Sequence, residues 1–338
     1  MHPFVYQRSD SAALAVRQAA KPGVRPPTLA PVQFLAGGTT LLDLMKLDAM
    51  TAETLVDIND LAKDHGVISA GPGGLNLGAL VRMSDAAEHP GVIRDYPVIA
   101  QSLQLAASPQ IRNMASLGGN VLQRTRCPYF RDPSWTSCNK RVPGSGCAAI
   151  GAANRMHAVL GVSDQCIASY PGDFAQALVA LDASVQTLGP NGARVIRMED
   201  LHRPPGATPE RETILTPGEL IIGFSVPAGP WTRRSLYLKV RDRQSYEFGV
   251  ATAAVALSLD GAAVDQVRIA LGGVATKPWR AREAEALLTG RPLTPAAAKA
   301  AADAAFAHAI THGANDFKPD LGRRTLVRAL LQAERMEV

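Results

Sequence analysis

The spacing of apolar residues divides the chain into segments with a period near 3.6 and segments that alternate or stay apolar for several residues. Residues 10–20 have helical spacing, with Leu14 and Ala15 on one face, and lead into a proline-rich link over 21–31. Phe34, Leu35 and Ala36 read as a short buried strand, Gly37 and Gly38 as a turn, and 39–47 as an amphipathic helix. An apolar strand is predicted around 55–58, and 66–80 form a hairpin turning at Gly71, Pro72, Gly73 and Gly74. Those glycines look like a dinucleotide fingerprint, but strand-like flanks on both sides make them a turn. Residues 97–107 predict a helix, and Asp173 is a natural cap for another over 174–181. A strand pair surrounds the Gly189-Pro190-Asn191-Gly192 turn, and 220–226 form a strand that Pro227 stops. Beyond it, alternation at 236–240, an apolar run over 248–259 and alternation at 267–271 predict three antiparallel strands. Helical patterns over 281–288, 295–310 and 322–337 cover them, the last with Leu326, Val327, Leu330 and Leu331 on one stripe.

Two of the connections carry chemistry. Around Gly37 and Gly38 the backbone can turn sharply and approach a ligand, and Thr39 and Thr40 bring hydroxyls to the start of a helix. Free N–H groups there suit an anion such as a pyrophosphate; the plainer reading is a strand-to-helix turn with a threonine cap. A second glycine-bearing loop runs over 108–120 and ends in Ser116, Leu117, Gly118, Gly119 and Asn120, again with bare backbone expected. Two such loops favour a diphosphate-bearing cofactor gripped from both sides.

Composition narrows the partners more than the fold. With 338 residues the chain exceeds the usual single-domain size, and 46% hydrophobic with 19% charged residues is ordinary for a globular protein. A net charge of +5 raises nucleic acid as a partner, but 35 basic residues are scattered among 30 acidic ones and aromatics are only 5%, which argues against it. No stretch of eighteen apolar residues and no charged head before an apolar core occurs, so neither a membrane span nor a signal peptide is expected. Export folded on a partner's signal remains open, leaving periplasm or cytoplasm as the expected compartment.

From 121 to 168 regular periodicity fades, and the chain's four cysteines, Cys127, Cys138, Cys147 and Cys166, all fall there. Loops of such length are disordered or held by something other than a hydrophobic core. The spacing is too open for paired zinc knuckles, while four thiolates match the ligand count of a cubane iron–sulfur cluster. Two disulfides in an oxidising compartment and incidental thiols are the competing readings. Arg124, Arg126, Arg131, Lys140 and Arg141 lie close by in sequence, where cations would stabilise an anionic cluster or simply form a solvated surface.

The cradle at 36–46, the loop at 115–120, the segments 124–130, 138–141 and 143–147, and Lys239-Val240-Arg241-Asp242-Arg243 together resemble the FAD-binding middle subunit of molybdenum hydroxylases, the xanthine dehydrogenase and aldehyde oxidoreductase family. The four cysteines resemble the branch of bacterial periplasmic aldehyde oxidoreductases whose flavin subunit carries a [4Fe-4S] cluster. The resemblance covers essentially the whole chain. It implies an α+β fold: a two-lobed FAD-binding domain of the vanillyl-alcohol-oxidase (PCMH) type, followed by a C-terminal three-stranded antiparallel sheet covered by helices, as in the carbon monoxide dehydrogenase flavoprotein. The implied divisions are 1–58, 59–227 with an iron–sulfur insertion at 121–168, and 228–338. By family pattern Phe34, Leu35, Ala36, Gly37, Gly38, Thr39, Thr40 and Leu41, with Ser116, Leu117, Gly118, Gly119 and Asn120, hold the pyrophosphate and ribitol. Asp173 bonds the cofactor, Ile221 lies against the adenine-side pocket, Lys239 sits near the flavin, and Cys127, Cys138, Cys147 and Cys166 ligate the cluster. Where xanthine-dehydrogenase-like members have an acidic residue after the cradle threonine, this chain has Thr40.

The family implies a division of labour. A large molybdenum-cofactor subunit oxidises the substrate, a small subunit with two [2Fe-2S] clusters passes the electrons on, and this chain's FAD delivers them to an external acceptor. No general acid or base is nominated. Two other readings stand beside this one: a self-contained FAD oxidase, for which 227–338 leave little room for a substrate cap, and a non-catalytic metal-binding assembly module.

Overall fold

The computed structural model describes residues 1–20 and 25–338, so the start of the proline-rich link, 21–24, lies outside the described residues. The first lobe is a three-stranded parallel sheet in which Thr54–Asp57 lies between Val5–Arg8 and Val32–Leu35. Parallel neighbours need crossovers. Helix Ala12–Ala19 lies between the first two strands and Leu41–Lys46 between the second and third. The first helix turns Ala15, Val16 and Ala19 inward, against Val32, Val56, Ile58 and Leu61; Leu14 stands only half-buried beside that face. The N-terminal strand escapes a reading of periodicity because all four of its residues are exposed, leaving no buried face to alternate.

The second lobe is a five-stranded antiparallel sheet in the order Ile68–Gly71, Gly74–Gly78, Leu220–Val226, Ser184–Gly189, Gly192–Arg197. The hairpin over 66–80 closes with Gly71 paired to Gly74, and the one around Pro190 and Asn191 with Gly189 paired to Gly192. Both are the tight turns that glycine with φ above zero permits, Gly74 at +124° and Gly192 at +100°. Helices Met83–Glu88, Pro97–Gln104, Leu117–Val121 and Phe174–Ala180 contribute to the same core, with Leu75, Leu77, Val98, Ile99, Leu103, Phe174 and Phe224 buried within it.

The C-terminal unit is an antiparallel sheet of Ser235–Val240, Ala251–Asp260 and Ala263–Gly272, with a fourth, two-residue strand, Trp279–Arg280, on its edge. That fourth strand is too short to leave a periodic signal. Helices Arg282–Leu288, Pro295–Ala305 and Lys318–Glu334 cover the sheet, packing Ala298, Ala301, Leu326 and Leu330 on Val255, Leu257 and Ile269.

The segment 121–168 is irregular, as expected, yet ordered. After Leu117–Val121 it holds one further helix among the described residues, Pro128–Arg131, and a bridge between Cys138 and Cys147. Buried polar side chains do the work of a core. Lys318, fully buried, donates from Nζ to the carbonyls of Met156, His157 and Gly273 at 2.7–3.0 Å. Asn315 donates to the Ala158 carbonyl, and Asn154 to that of His312. An ammonium has three N–H donors, and here each finds a carbonyl at one point where three segments meet, while burial pulls Lys318 down to about 7. Replacing Lys318 with Met strips three buried carbonyls of their donor and is expected to lower unfolding stability by about 3 kcal/mol or more. Urea denaturation of wild type and Lys318→Met checks this; midpoints that coincide would show the stitch to be dispensable.

Candidate functional site

A cleft of about 240 Å³ opens between the two N-terminal lobes. Its floor is the turn after Val32–Leu35. Gly37 comes so near the Met114 carbonyl that an added Cβ would overlap its oxygen, and Gly38 has φ +72°. The N–H groups of Gly37, Gly38, Thr39, Thr40 and Leu41 find no acceptor among the described residues. Five successive free donors facing a cleft suit an anion. The threonine cap of the plainer reading is absent: Thr40 occupies the N-cap position with no side-chain bond, and the six-residue helix behind it adds little dipole.

The second loop behaves differently from the bare backbone expected of it. Leu117 N–H donates to Val81, Gly118 N–H to Ala79 and Gly119 N–H to the Ser116 hydroxyl. Gly118 is there because Ala79 passes within van der Waals distance of where its Cβ would stand. The loop thus forms a wall of the cleft with its donors already spent.

Of the residues implicated from the sequence, the cleft brings together Phe34, Ala36, Gly37, Gly38, Thr39, Thr40, Leu41, Ser116, Gly118, Gly119 and Ile221. Leu35, Leu117, Asn120, Asp173 and Lys239 do not line it. Leu35 packs with Met45 and Leu55, and Leu117 is in the core of the second lobe. Asn120 donates to Met83 Sδ at 3.3 Å, while its side-chain oxygen is buried without a partner among the described residues. Asp173 precedes helix Phe174–Ala180 but makes no capping bond. Its carboxylate is instead taken by Tyr237 at 2.7 Å and by Lys239 at 2.7 Å, a buried ion pair joining the second lobe to the C-terminal sheet. Lys239 Nζ also donates to the Leu105 carbonyl.

The cleft has a charged wall that sequence reading did not assemble. Arg124 Nε donates to Glu212 Oε2 at 2.9 Å, and Lys140 Nζ to Glu212 Oε1 at 2.8 Å and to the Pro209 carbonyl. Burial alone would raise the Glu212 carboxyl, but Arg124 and Lys140 outweigh it and pull it down to about 2. His202 lines the same wall, donating from Nε2 to the Val121 carbonyl, and burial pushes it down to about 4, so it is neutral. Glu212 and His202 lie far from the cysteines in sequence, and no local pattern announces them.

Beyond this wall lies a second, smaller cavity of about 10 Å³, about one water's worth, lined by all four cysteines. The two cavities share Lys140 and Ala168. All four cysteines are free, against the two-disulfide reading. Cys127 is pushed up to about 12 by burial and lies 3.1 Å from His157 Nε2. Interaction between the Cys147 and Cys166 thiols lowers Cys147 and raises Cys166. No trio of His, Cys, Asp or Glu among the described residues stands close enough to hold a single metal ion. The nearby cations mostly build the loop and do not ring the sulfurs: Arg141 donates to the Tyr129 and Phe130 carbonyls, Arg131 pairs with Asp43, and Arg126 donates to the Arg124 carbonyl.

The chain matches known proteins over both parts. Residues 3–229 match the family described as FAD binding domain in molybdopterin dehydrogenase, and 236–333 match the CO dehydrogenase flavoprotein C-terminal domain. The chain is 46% identical to the aldehyde oxidoreductase FAD-binding subunit PaoB of Escherichia coli (strain K12), covering 98% of this chain and 99% of that one. It is 29% identical to the carbon monoxide dehydrogenase medium chain of Afipia carboxidovorans, covering 99% and 96%. It superposes with TM-score 0.74 on a chain of carbon monoxide dehydrogenase from Hydrogenophaga pseudoflava, 27% identical, with 98% of each chain covered.

Because the Glu212 carboxyl is lowered from an ordinary 4.5 to about 2, its contribution to stability is complete above about pH 4.5 and is lost as the pH falls through about 2. Glu212→Gln removes that dependence. Urea midpoints followed from about pH 5 down to about 2.5 are expected to fall more steeply for wild type than for the variant; parallel curves would mean the carboxylate is not held by its two cations.

Proposed function

The chain belongs to the FAD-binding medium subunits of the molybdenum hydroxylases, and from that premise we propose that it is the electron outlet of an aldehyde-oxidising complex. The observation that carries this reading is the pair of adjoining cavities, one floored by five free backbone donors and the other lined by four cysteines, with Lys140 and Ala168 common to both. FAD, when bound, accepts electrons singly from iron–sulfur centres and hands them on in pairs. This chain's residues do the holding. The turn at 37–41 offers its N–H groups to the diphosphate, Ser116, Gly118 and Gly119 close the other side, and Ile221 packs beside them. Asp173 and Lys239, paired with each other and buried, brace the C-terminal sheet against the FAD lobe.

A [4Fe-4S] cluster in the cysteine cavity is the finer part of the proposal. Its support is that four free thiols, and no other cysteines, converge on one cavity. Thiolate ligands of a cubane stand farther apart than those of a single ion, so the lack of a mononuclear site is no obstacle. The cavity must widen to take it. Gly144 at φ +86° and Gly146 at φ +96° sit in the Cys138–Cys147 turn, and an added Cβ would meet nothing within 4 Å at Gly144 and only Ser137 Cβ, at 3.8 Å, at Gly146. PaoB is named as the FAD-binding subunit of an aldehyde oxidoreductase, and by that likeness we assign substrate oxidation to a large molybdenum-cofactor partner and electron supply to a small [2Fe-2S] partner. The proposed divisions are 1–58, 59–227 with the cluster-bearing 121–168, and 228–338. No helix among the described residues is long and apolar enough to cross a membrane, and export alongside a signal-bearing partner is the compartment we favour.

A visible absorption spectrum with iron, sulfide and flavin analysis tests both cofactors. Flavin bands over a broad shoulder, with about four iron and four sulfide per FAD, are expected. Cys147→Ser is expected to lose the iron and keep the flavin; full iron in that variant would remove Cys147 from the ligand set. Gly37→Ala is expected to do the reverse, because the new Cβ overlaps the Met114 carbonyl and displaces the donor turn. Flavin content unchanged in Gly37→Ala would place the diphosphate elsewhere.

A further inference from the structure

Arg124 is 3% exposed and lines the cleft, yet only one of its three nitrogens is used. Nε is bonded to Glu212, whereas both terminal nitrogens are buried and have no acceptor among the described residues. The Phe130 ring covers one face of the guanidinium, its centroid 4.5 Å from Cζ, but a ring on the face leaves the in-plane N–H groups unsatisfied. Buried charged donors without partners are costly, and native structures keep them where a ligand completes them.

Charge points the same way. Arg124 and Lys140 share the single carboxylate of Glu212, two cations against one anion, so the wall carries one positive charge in excess. His202, held neutral, does not change that balance. Lys140 already spends two of its three N–H donors, on Glu212 and on the Pro209 carbonyl. Arg124 keeps both of its terminal amino groups free, a planar fork that suits two oxygens or an oxygen and a nitrogen side by side.

We propose that Arg124, aligned by Glu212 and Phe130, is a binding residue for an anionic part of FAD, taken by its two terminal amino groups. The inference rests on the FAD reading above. FAD offers two anions of this kind: the diphosphate, charged in either oxidation state, and the isoalloxazine edge, which gains negative charge on reduction. Both are met by the same fork, and they differ in what the fork does to the redox balance. A grip on the diphosphate strengthens oxidised and reduced FAD alike. A grip on the ring strengthens reduced FAD only.

The test uses the full chain, stripped of flavin and titrated with FAD, with the two-electron midpoint potential of the reconstituted protein measured in parallel. Arg124→Gln is expected to bind FAD about tenfold or more weakly, the size of a lost charge-assisted pair. Equal weakening in both oxidation states assigns the diphosphate. A tenfold loss confined to reduced FAD assigns the ring and lowers the midpoint by about 30 mV. Far-UV circular dichroism and iron content check that the variant is folded. If Arg124→Gln fails that check, Arg124→Lys decides: it keeps a cation opposite Glu212 but lacks the fork, and an affinity or midpoint loss there supports the proposal. FAD affinity and midpoint within about twofold and 10 mV of wild type, in a folded variant, overturn it. Wild-type protein that takes up no FAD would instead remove the flavin reading itself, and the two failures are told apart by that control.

Discussion

The cleft lies where the two N-terminal lobes meet backbone to backbone, beside a shared cluster of side chains in which Val16, Val32 and Val56 pack with Leu80 and Leu220. Gly37 of the first lobe lies against the Met114 carbonyl of the second, and that same carbonyl accepts from Arg82 at 2.5 Å. Arg82 reaches back to the Asn59 side chain at 3.3 Å, and Asn59 in turn donates to the Ala36 carbonyl and to Asp57. A closed circuit therefore runs from the turn across to the second lobe and back through the polar end of the parallel sheet. Any side chain at position 37 would pry it open. With the lobes pinned this closely, the next four residues have no neighbour to bond to, and their donors are left facing the cleft. The binding surface is what remains after the packing has been satisfied.

The irregular segment shows a second way of building order. It has one small hydrophobic cluster of its own, around Tyr129, Ala149 and Ile167, and shares another, around Phe130 and Cys138, with Leu44 and Ala49 of the first lobe. Neither is large enough to fix forty-odd residues. The segment is held also by Val159 and Leu160, which join the C-terminal core, and by buried charges and amides, Arg124 and Lys140 on Glu212 at one end, Lys318, Asn315 and Asn154 at the other. Such contacts add little net stability over apolar packing, but each demands one geometry, and together they hold the cysteines around one point.

Much of this was legible in the residues and some could not be. The hairpins were announced by their glycines, the C-terminal strands by alternation and a long apolar run, and the covering helices by their stripes, because each is a local pattern imposed by one buried face. The donor turn was legible for the same reason, Gly37 and Gly38 standing between a strand and a helix. The second glycine loop misled, since a glycine needed for close approach to Ala79 looks in sequence like one that bares its backbone to a ligand. Asp173 misled in another way: it stands where a helix cap belongs, but a buried lysine and tyrosine some sixty residues on, Lys239 and Tyr237, claim its carboxylate. Glu212 left no trace at all, its importance coming from two cations brought to it by a loop seventy and more residues earlier in the chain.

The stitch at Lys318 has a consequence for the order in which the protein is made. The segment around the cysteines is tied to residues 312–318, near the end of the chain, and to the strand end at Gly273. During synthesis the four thiols leave the ribosome long before the residues that pin their surroundings. The contacts that hold 154–158 therefore form only once residues about 160 positions further on have been made.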